Sequence, residues 1–71
     1  MSQPFKPLGY AHHRAKAQAL EEQGQWARAA EAWKRAMSTH CSMANWREAD
    51  ARRVFCRRKL NQQRAQQREA V

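Results

Sequence analysis

Five side chains of the 71-residue chain are of the types that bind transition metals. They are His12, His13, His40, Cys41 and Cys56. No two histidines stand at i and i+4, and there is no Cys-x-x-Cys pair, so the usual ligand spacings are missing. The pattern predicts no metal site and no cofactor. The two cysteines could form one disulfide, but two reduced thiols in a cytoplasmic protein are the favoured interpretation.

Catalytic residue patterns are also missing from the sequence. Glu21 and Glu22 are adjacent, so their carboxylates diverge by about 100° on a helix and cannot act as a pair. No Gly-rich phosphate loop is present, and the order of the Ser, His and Asp residues does not suggest a triad. The sequence therefore predicts that the chain is not an enzyme.

Basic residues dominate the remaining polar chemistry. The net charge is +8 with a pI near 10.8, and the excess is concentrated in the second half of the chain. A predicted basic patch contains Arg47, Arg53, Arg57, Arg64 and Arg68. Arginine suits bidentate contacts with carboxylates or phosphates. An acidic protein surface, nucleic acid and simple solvation are the three interpretations, and the sequence favours the first.

The most regular apolar spacing in the chain predicts a helix over 26–39. Its apolar residues stand at i, i+3, i+4 and i+7, and they are Trp26, Ala29, Ala30, Trp33, Ala36 and Met37. A helix over 10–23 precedes it, with a thin face predicted from Ala11, Ala15, Ala19 and Leu20. Gly24 is expected in a left-handed conformation just after that helix.

A third helix is predicted from 43 into the 60s, with Ser42 as its cap. One stripe on this helix consists of Trp46, Ala49, Cys56 and Leu60. A second stripe of Ala51, Val54 and Phe55 points elsewhere. It predicts a second contact, either with a copy of the chain in a homodimer that pairs third helices or with another protein. The alternative is that Phe55 folds over the N-terminal arm.

The predicted organisation is an extended arm over 1–9, a helical domain over 10–60 and a polar basic tail over 61–71. A chain of this size has a marginal core. The predicted core residues are Leu20, Trp26, Ala29, Trp33, Trp46 and Cys56. No strand-like alternation is present, so the expected fold is all-α: three helices, of which the first two form a hairpin.

This hairpin resembles a tetratricopeptide unit in the placement of its small and large residues. The matching positions are Ala17, Leu20, Gly24, Trp26, Ala29, Trp33 and Ala36. Only one such unit is visible, whereas stacks of this repeat need about three for stability. We therefore expect a single hairpin that is completed by a different third helix.

Residues 11–58 as a whole resemble the ANR family of small bacterial regulators. The resemblance rests on the hairpin together with the segment Asn45-Trp46-(x)6-Arg53-(x)2-Cys56. It implies a helical negative regulator that binds a transcription activator of AraC type and blocks its productive self-association. It also implies a link to the nucleoid protein H-NS.

The sequence therefore predicts a transcriptional regulator that acts by protein contact, with direct nucleic-acid binding through the basic third helix as the alternative. The predicted partner-binding residues are Arg52, Val54, Phe55, Arg58 and Lys59. No apolar run reaches the roughly 18 residues of a membrane span, and the N-terminus lacks a secretory signal pattern. The expected location is the cytoplasm, without membrane contact.

Overall fold

Three helices account for almost all of the described chain. The structure is a computed structural model that describes the backbone of residues 9–70 and the side chains of residues 9–68. The helices are α1 (Tyr10–Glu22), α2 (Trp26–Met37) and α3 (Met43–Ala70), and these residues contain no strand. The predicted all-α fold is confirmed. Most of the predicted arm, residues 1–8, lies outside the described residues, while the predicted polar tail continues α3 without a break through residue 70.

The turn between α1 and α2 depends on a glycine. Gly24 has φ +73°, a left-handed conformation that glycine adopts without the penalty of a side chain. Its N–H donates to the Glu21 carbonyl at 2.9 Å, and the Gln25 N–H donates to the Leu20 carbonyl at 2.9 Å. These bonds satisfy carbonyls at the end of α1. The predicted conformation of Gly24 is confirmed.

The connection between α2 and α3 is capped at both ends. Ser38 and Thr39 donate their N–H groups to carbonyls of the last turn of α2, which ends at Met37 instead of Thr39. Ser42 accepts a hydrogen bond from the Asn45 N–H at 3.1 Å through its Oγ. This is the bond expected of an N-cap residue, so the predicted cap of α3 is confirmed.

Small residues surround one large side chain in the core. The fully buried residues are Ala17, Ala29, Ala32, Trp33, Ala36, Ala49 and Cys56. The alanines let the helices approach closely, and Trp33, only 1% exposed, fills the space between them. Leu20 and Trp26 are partly buried against this cluster. Of the six predicted core residues, five thus lie in the core or against it.

The predicted inner face of α1 is wrong in part. Ala11, Ala15 and Ala19 are exposed, and Ala17 is the buried alanine. The reason is that polar residues at helical spacing from Ala17 make the contacts with α3. An estimate of the buried face from apolar residues alone therefore selects the wrong side of the helix.

The assignment of Trp46 to the core is also wrong. Its side chain is 40% exposed, whereas Ala49 and Cys56 are fully buried. Trp46 precedes Ala49 by three residues, which places it about 60° around the helix. It therefore lies at the edge of the buried stripe and not at its centre.

Phe55 packs against the hairpin, a contact within the chain that the sequence analysis did not predict. Its ring meets Trp26 edge to face, with centroids 5.8 Å apart and planes at 77°. The guanidinium carbon of Arg52 lies 4.2 Å from the centroid of the same ring. The predicted stripe of Ala51, Val54 and Phe55 is therefore divided, because Val54 is exposed and Phe55 contacts the hairpin.

Candidate nucleic-acid interface

Two grooves run along the exposed side of α2. The α1–α2 groove has a volume of about 270 Å³ and is lined by His13, Lys16, Leu20, Arg28, Glu31, Ala32 and Arg35. The α2–α3 groove has a volume of about 260 Å³ and is lined by Ala27, Ala30, Glu31, Lys34, Arg53, Arg57, Leu60, Asn61 and Arg64. Glu31 borders both grooves, so they flank one ridge of α2 and form a continuous surface.

The cations of these two grooves form what we call the basic face. Its members are Lys16, Arg28, Lys34, Arg35, Arg53, Arg57 and Arg64. Glu31 is the one carboxylate among the residues that line the grooves. Of these seven cations, Arg53 is in an ion pair within residues 9–68, with Asp50 at 3.6 Å. The basic face therefore carries a strong excess of positive charge.

Most of the predicted basic patch belongs to this face. Arg53, Arg57 and Arg64 line the α2–α3 groove, and Arg68 is exposed one turn beyond Arg64. Arg47 is also exposed but does not line either groove. The patch thus assembles on one side of α3 with the exception of its first member.

The sequence analysis missed the contribution of α1 and α2 to the basic face. Lys16, Arg28, Lys34 and Arg35 come from the hairpin, which was interpreted for its apolar spacing alone. A charge plot of α2 would have placed Arg28 and Arg35 on one line, since they are seven residues apart. That Lys34 meets the arginines of α3 depends on tertiary packing.

The positive potential of the α1–α2 groove acts on the histidine within it. Burial lowers the pKa of His13, and the neighbouring charges of His12, Arg35 and Lys16 lower it further. Because like charges disfavour a protonated imidazole, the direction of this change agrees with an excess of cations in the groove.

On the other side of the molecule, the carboxylate of Glu21 connects all three helices. It accepts hydrogen bonds from Trp33 Nε1 of α2 at 2.7 Å and from Arg52 Nη2 of α3 at 2.5 Å. The thiol of Cys56 donates to it at 3.3 Å. Burial raises the pKa of Glu21, but the bonds from Arg52, Trp33 and Cys56 outweigh burial and leave that pKa below its usual value. Glu22, its neighbour in sequence, is exposed as the predicted divergence requires.

A second polar cluster joins the start of α1 to α3. The hydroxyl of Tyr10 donates to Glu48 Oε1 at 2.5 Å, and Arg14 Nε donates to the same oxygen at 3.0 Å. These two bonds lower the pKa of Glu48. Tyr10, Arg14, Ala17 and Glu21 therefore form the face of α1 that contacts α3. The sequence analysis identified neither polar cluster.

The predicted partner-binding residues do not form one surface. Arg52 and Lys59 lie over the ring of Phe55, with the Lys59 ammonium 5.6 Å from its centroid. Arg52 is also held by Glu21. Val54 and Arg58 are exposed, one turn apart on the outward side of α3.

Three large apolar side chains are exposed on α3. They are Met43 at 64%, Trp46 at 40% and Val54 at 39% exposure. Met43 and Trp46 are neighbours at i and i+3 on the first turns of the helix and define an apolar patch, whereas Val54 lies about 12 Å further along the helix axis. Scattered exposed apolar residues are common, but a half-exposed tryptophan is of the type that protein interfaces use.

Both cysteines are free, Cys56 buried and Cys41 partly exposed. Among residues 9–68, no three His, Cys, Asp or Glu side chains are close enough together to hold a metal ion. Within the described chain, none of the helices has both the length and the apolar character needed to cross a membrane.

The fold and the surface define a small all-α protein with one broad basic face. Among known protein families, the model described as PerC transcriptional activator matches residues 11–70 of the chain. The chain therefore belongs to the PerC transcriptional activator family, and its predicted role in transcription regulation is confirmed at that level. Searches among curated proteins and solved structures found no match.

Proposed function

We propose that this protein regulates transcription by binding duplex DNA through the basic face. The observation that carries the proposal is the alignment of seven Lys and Arg side chains along two adjoining grooves, with Glu31 as their one carboxylate. Five of the seven are arginines, which bind phosphate oxygens through two parallel N–H groups. Because all three helices contribute, the folded domain presents the charges as one surface.

The positions of two further carboxylates support this proposal. Glu21 and Glu48 are engaged with Arg52, Arg14 and Tyr10 on the side where α1 meets α3. They are therefore not available to neutralise the basic face. A surface of this kind attracts a polyanion by releasing its counterions, so its affinity must fall steeply as salt rises.

The test is a titration of fluorescent duplex DNA with the full chain at several salt concentrations. We expect each of Arg35→Ala and Arg57→Ala to weaken binding and to reduce the slope of log affinity against log salt by about one. Arg58→Ala is the matched control, because it removes the same charge from the outward side of α3. Equal losses in Arg57→Ala and Arg58→Ala would contradict a specific role of the basic face.

A gain of affinity provides a second arm of the same test. Glu31 is exposed on the ridge between the two grooves. Glu31→Gln removes a negative charge that repels phosphates and should therefore strengthen binding at low salt. Glu22→Gln is the control, because Glu22 is exposed but does not line either groove. A weaker Glu31→Gln complex would refute the proposed orientation of the DNA.

Direct contact with a transcription factor is the second candidate, and the exposed apolar patch of Met43 and Trp46 favours it. The resemblance to the ANR family suggests an AraC-type activator as the partner, with inhibition of that activator as the result and H-NS as a further partner. Trp46→Ala should then abolish nuclease-resistant co-purification with the activator while DNA binding stays unchanged. Loss of both activities would indicate misfolding, and circular dichroism distinguishes that case.

Two further expectations belong to this proposal. A regulator of this kind acts where the chromosome is, which makes the cytoplasm its expected location. A homodimer of modest affinity also stays a prediction, but Phe55 no longer supports it, because that ring packs on Trp26. The apolar patch is the surface that a second copy would use.

A further inference from the structure

The last ten residues of α3 form a helix with almost no apolar side chains. Every side chain of residues 61–68 is exposed, and Ala65 is the one apolar residue among them. A helix needs an apolar stripe to pack on another protein or to form a coiled coil. This segment has no such stripe, so its composition favours contact with a polar ligand over packing against another protein.

The side chains of this segment are of the types that recognise bases. Its polar residues are Asn61, Gln62, Gln63, Arg64, Gln66, Gln67 and Arg68. Asparagine and glutamine can form two hydrogen bonds with the N6 and N7 atoms of adenine, and arginine can do so with O6 and N7 of guanine. An α-helix is about 10–12 Å wide, and the major groove of duplex DNA, about 12 Å wide, admits it.

One row of these residues continues directly from the basic face. Arg57, Asn61, Arg64 and Arg68 are spaced at i, i+4, i+7 and i+11, which places them within an arc of about 60°. The first three line the α2–α3 groove beside Lys34, so the row lies on the side of α3 that the basic face occupies. One duplex can therefore contact the basic face and the row together.

We infer that residues 61–68 of α3 lie in the major groove of duplex DNA and that Asn61 and Arg64 recognise base edges there. This inference rests on the proposed function, since Lys34 and Arg57 are assigned to the phosphates on either side. The row from Arg57 to Arg68 is about 17 Å long, which spans about five base pairs at 3.4 Å each. Arg68 extends the contact at the end of the row.

In the experiment, the full chain selects the duplexes that it binds from a random DNA library. The affinity of the chain for the enriched duplex and the salt dependence of that affinity are then measured. We expect the wild type to enrich a motif of about five base pairs. Asn61→Ala keeps the charge and should erase the preference at one position, with about tenfold weaker binding of the motif and an unchanged salt slope. Arg64→Lys should do the same at another position. Gln62→Ala with Gln66→Ala is the control, because both residues lie on the far side of the helix.

The outcomes separate the two proposals. Salt-dependent duplex binding without any enriched motif would overturn the inference and leave the proposed function standing. A motif that persists in Asn61→Ala and Arg64→Lys, or one that changes in the control variant, would also overturn it. Absence of duplex binding by the wild type would refute both. Circular dichroism confirms that each variant keeps its helices, and alanine at position 61 favours the helix.

Discussion

Replacement of Glu21 by alanine should be among the most destabilising changes of a polar residue in this protein. The variant removes the acceptor of the Trp33 Nε1–H group, and Trp33 is 1% exposed, so a donor on a buried side chain loses its partner. A buried donor without a partner costs about 1–3 kcal/mol. The loss of the Arg52 pair adds at most about 1 kcal/mol, because the Arg52 side chain is 40% exposed and becomes hydrated.

The expected loss of about 1–4 kcal/mol is a large part of the stability of a domain of this size, which is about 4–11 kcal/mol. Urea unfolding followed by circular dichroism and by tryptophan fluorescence measures it. Glu21→Gln keeps an oxygen acceptor for Trp33 and should cost only about 1 kcal/mol. Glu22→Ala is the control, since Glu22 is exposed, and should change stability by less than about 0.5 kcal/mol.

The pH dependence supplies an independent check. Since hydrogen bonds from Arg52, Trp33 and Cys56 outweigh burial, the pKa of Glu21 is lower in the folded protein than in the unfolded chain. Its contribution is complete above the unfolded pKa of about 4.3 and is lost as pH falls through the folded value. Glu21→Gln should thus approach wild-type stability at low pH. Equal stability of Glu21→Ala and Glu22→Ala at pH 7 would refute this account of the core.

Two other variants and one labelling experiment test the turn, the packing and the thiols. Gly24→Ala should cost about 1 kcal/mol from backbone strain alone, since φ is +73° and no atom lies within 4 Å of an added Cβ; no loss would contradict the left-handed turn. Burial raises the pKa of Cys56 to about 12, so a thiol reagent at pH 8 should label Cys41 first, and equal rates would contradict that burial. Phe55→Ala should cost about 2–4 kcal/mol by emptying the space beside Trp26, and a fully stable variant would return Phe55 to the surface.

The parts of the fold that could be predicted from the sequence are those that local patterns determine. The helix α2 has apolar residues at every position of one face, Gly24 follows α1, and Ser42 precedes α3 by one residue. Each of these signals acts within a few residues, so none requires knowledge of the tertiary packing.

The face of α1 could not be predicted in the same way. Its contact with α3 consists of Tyr10, Arg14 and Glu21 around Ala17, and three of these four side chains are polar. A pattern analysis that counts only apolar residues assigns such positions to solvent. The geometry of the three-helix arrangement is what gives these polar groups their partners.

Only the part of the basic face that lies on α3 could be predicted from the sequence, because the rest depends on how the helices pack. The arginines of α3 form a visible run, so the sequence could place a basic patch there. Whether these arginines form a larger basic surface depends on which helix packs beside α3. Because α2 packs beside α3, Lys34 lines the same groove as the arginines. The predicted partner-binding residues do not form one surface, because Phe55 packs against Trp26 whereas Val54 and Arg58 are exposed on the outward side of α3.

The distribution of the few carboxylates connects the stability of this protein to its proposed activity. The chain has 14 Lys and Arg residues but only six Asp and Glu residues. Glu21 and Glu48 lie between α1 and α3, where each accepts hydrogen bonds from at least two side chains. Placing these two acids inside the helix contacts withdraws them from the opposite surface. Because these two acids hold α1 against α3, they do not line the grooves beside α2, where Glu31 is the one carboxylate.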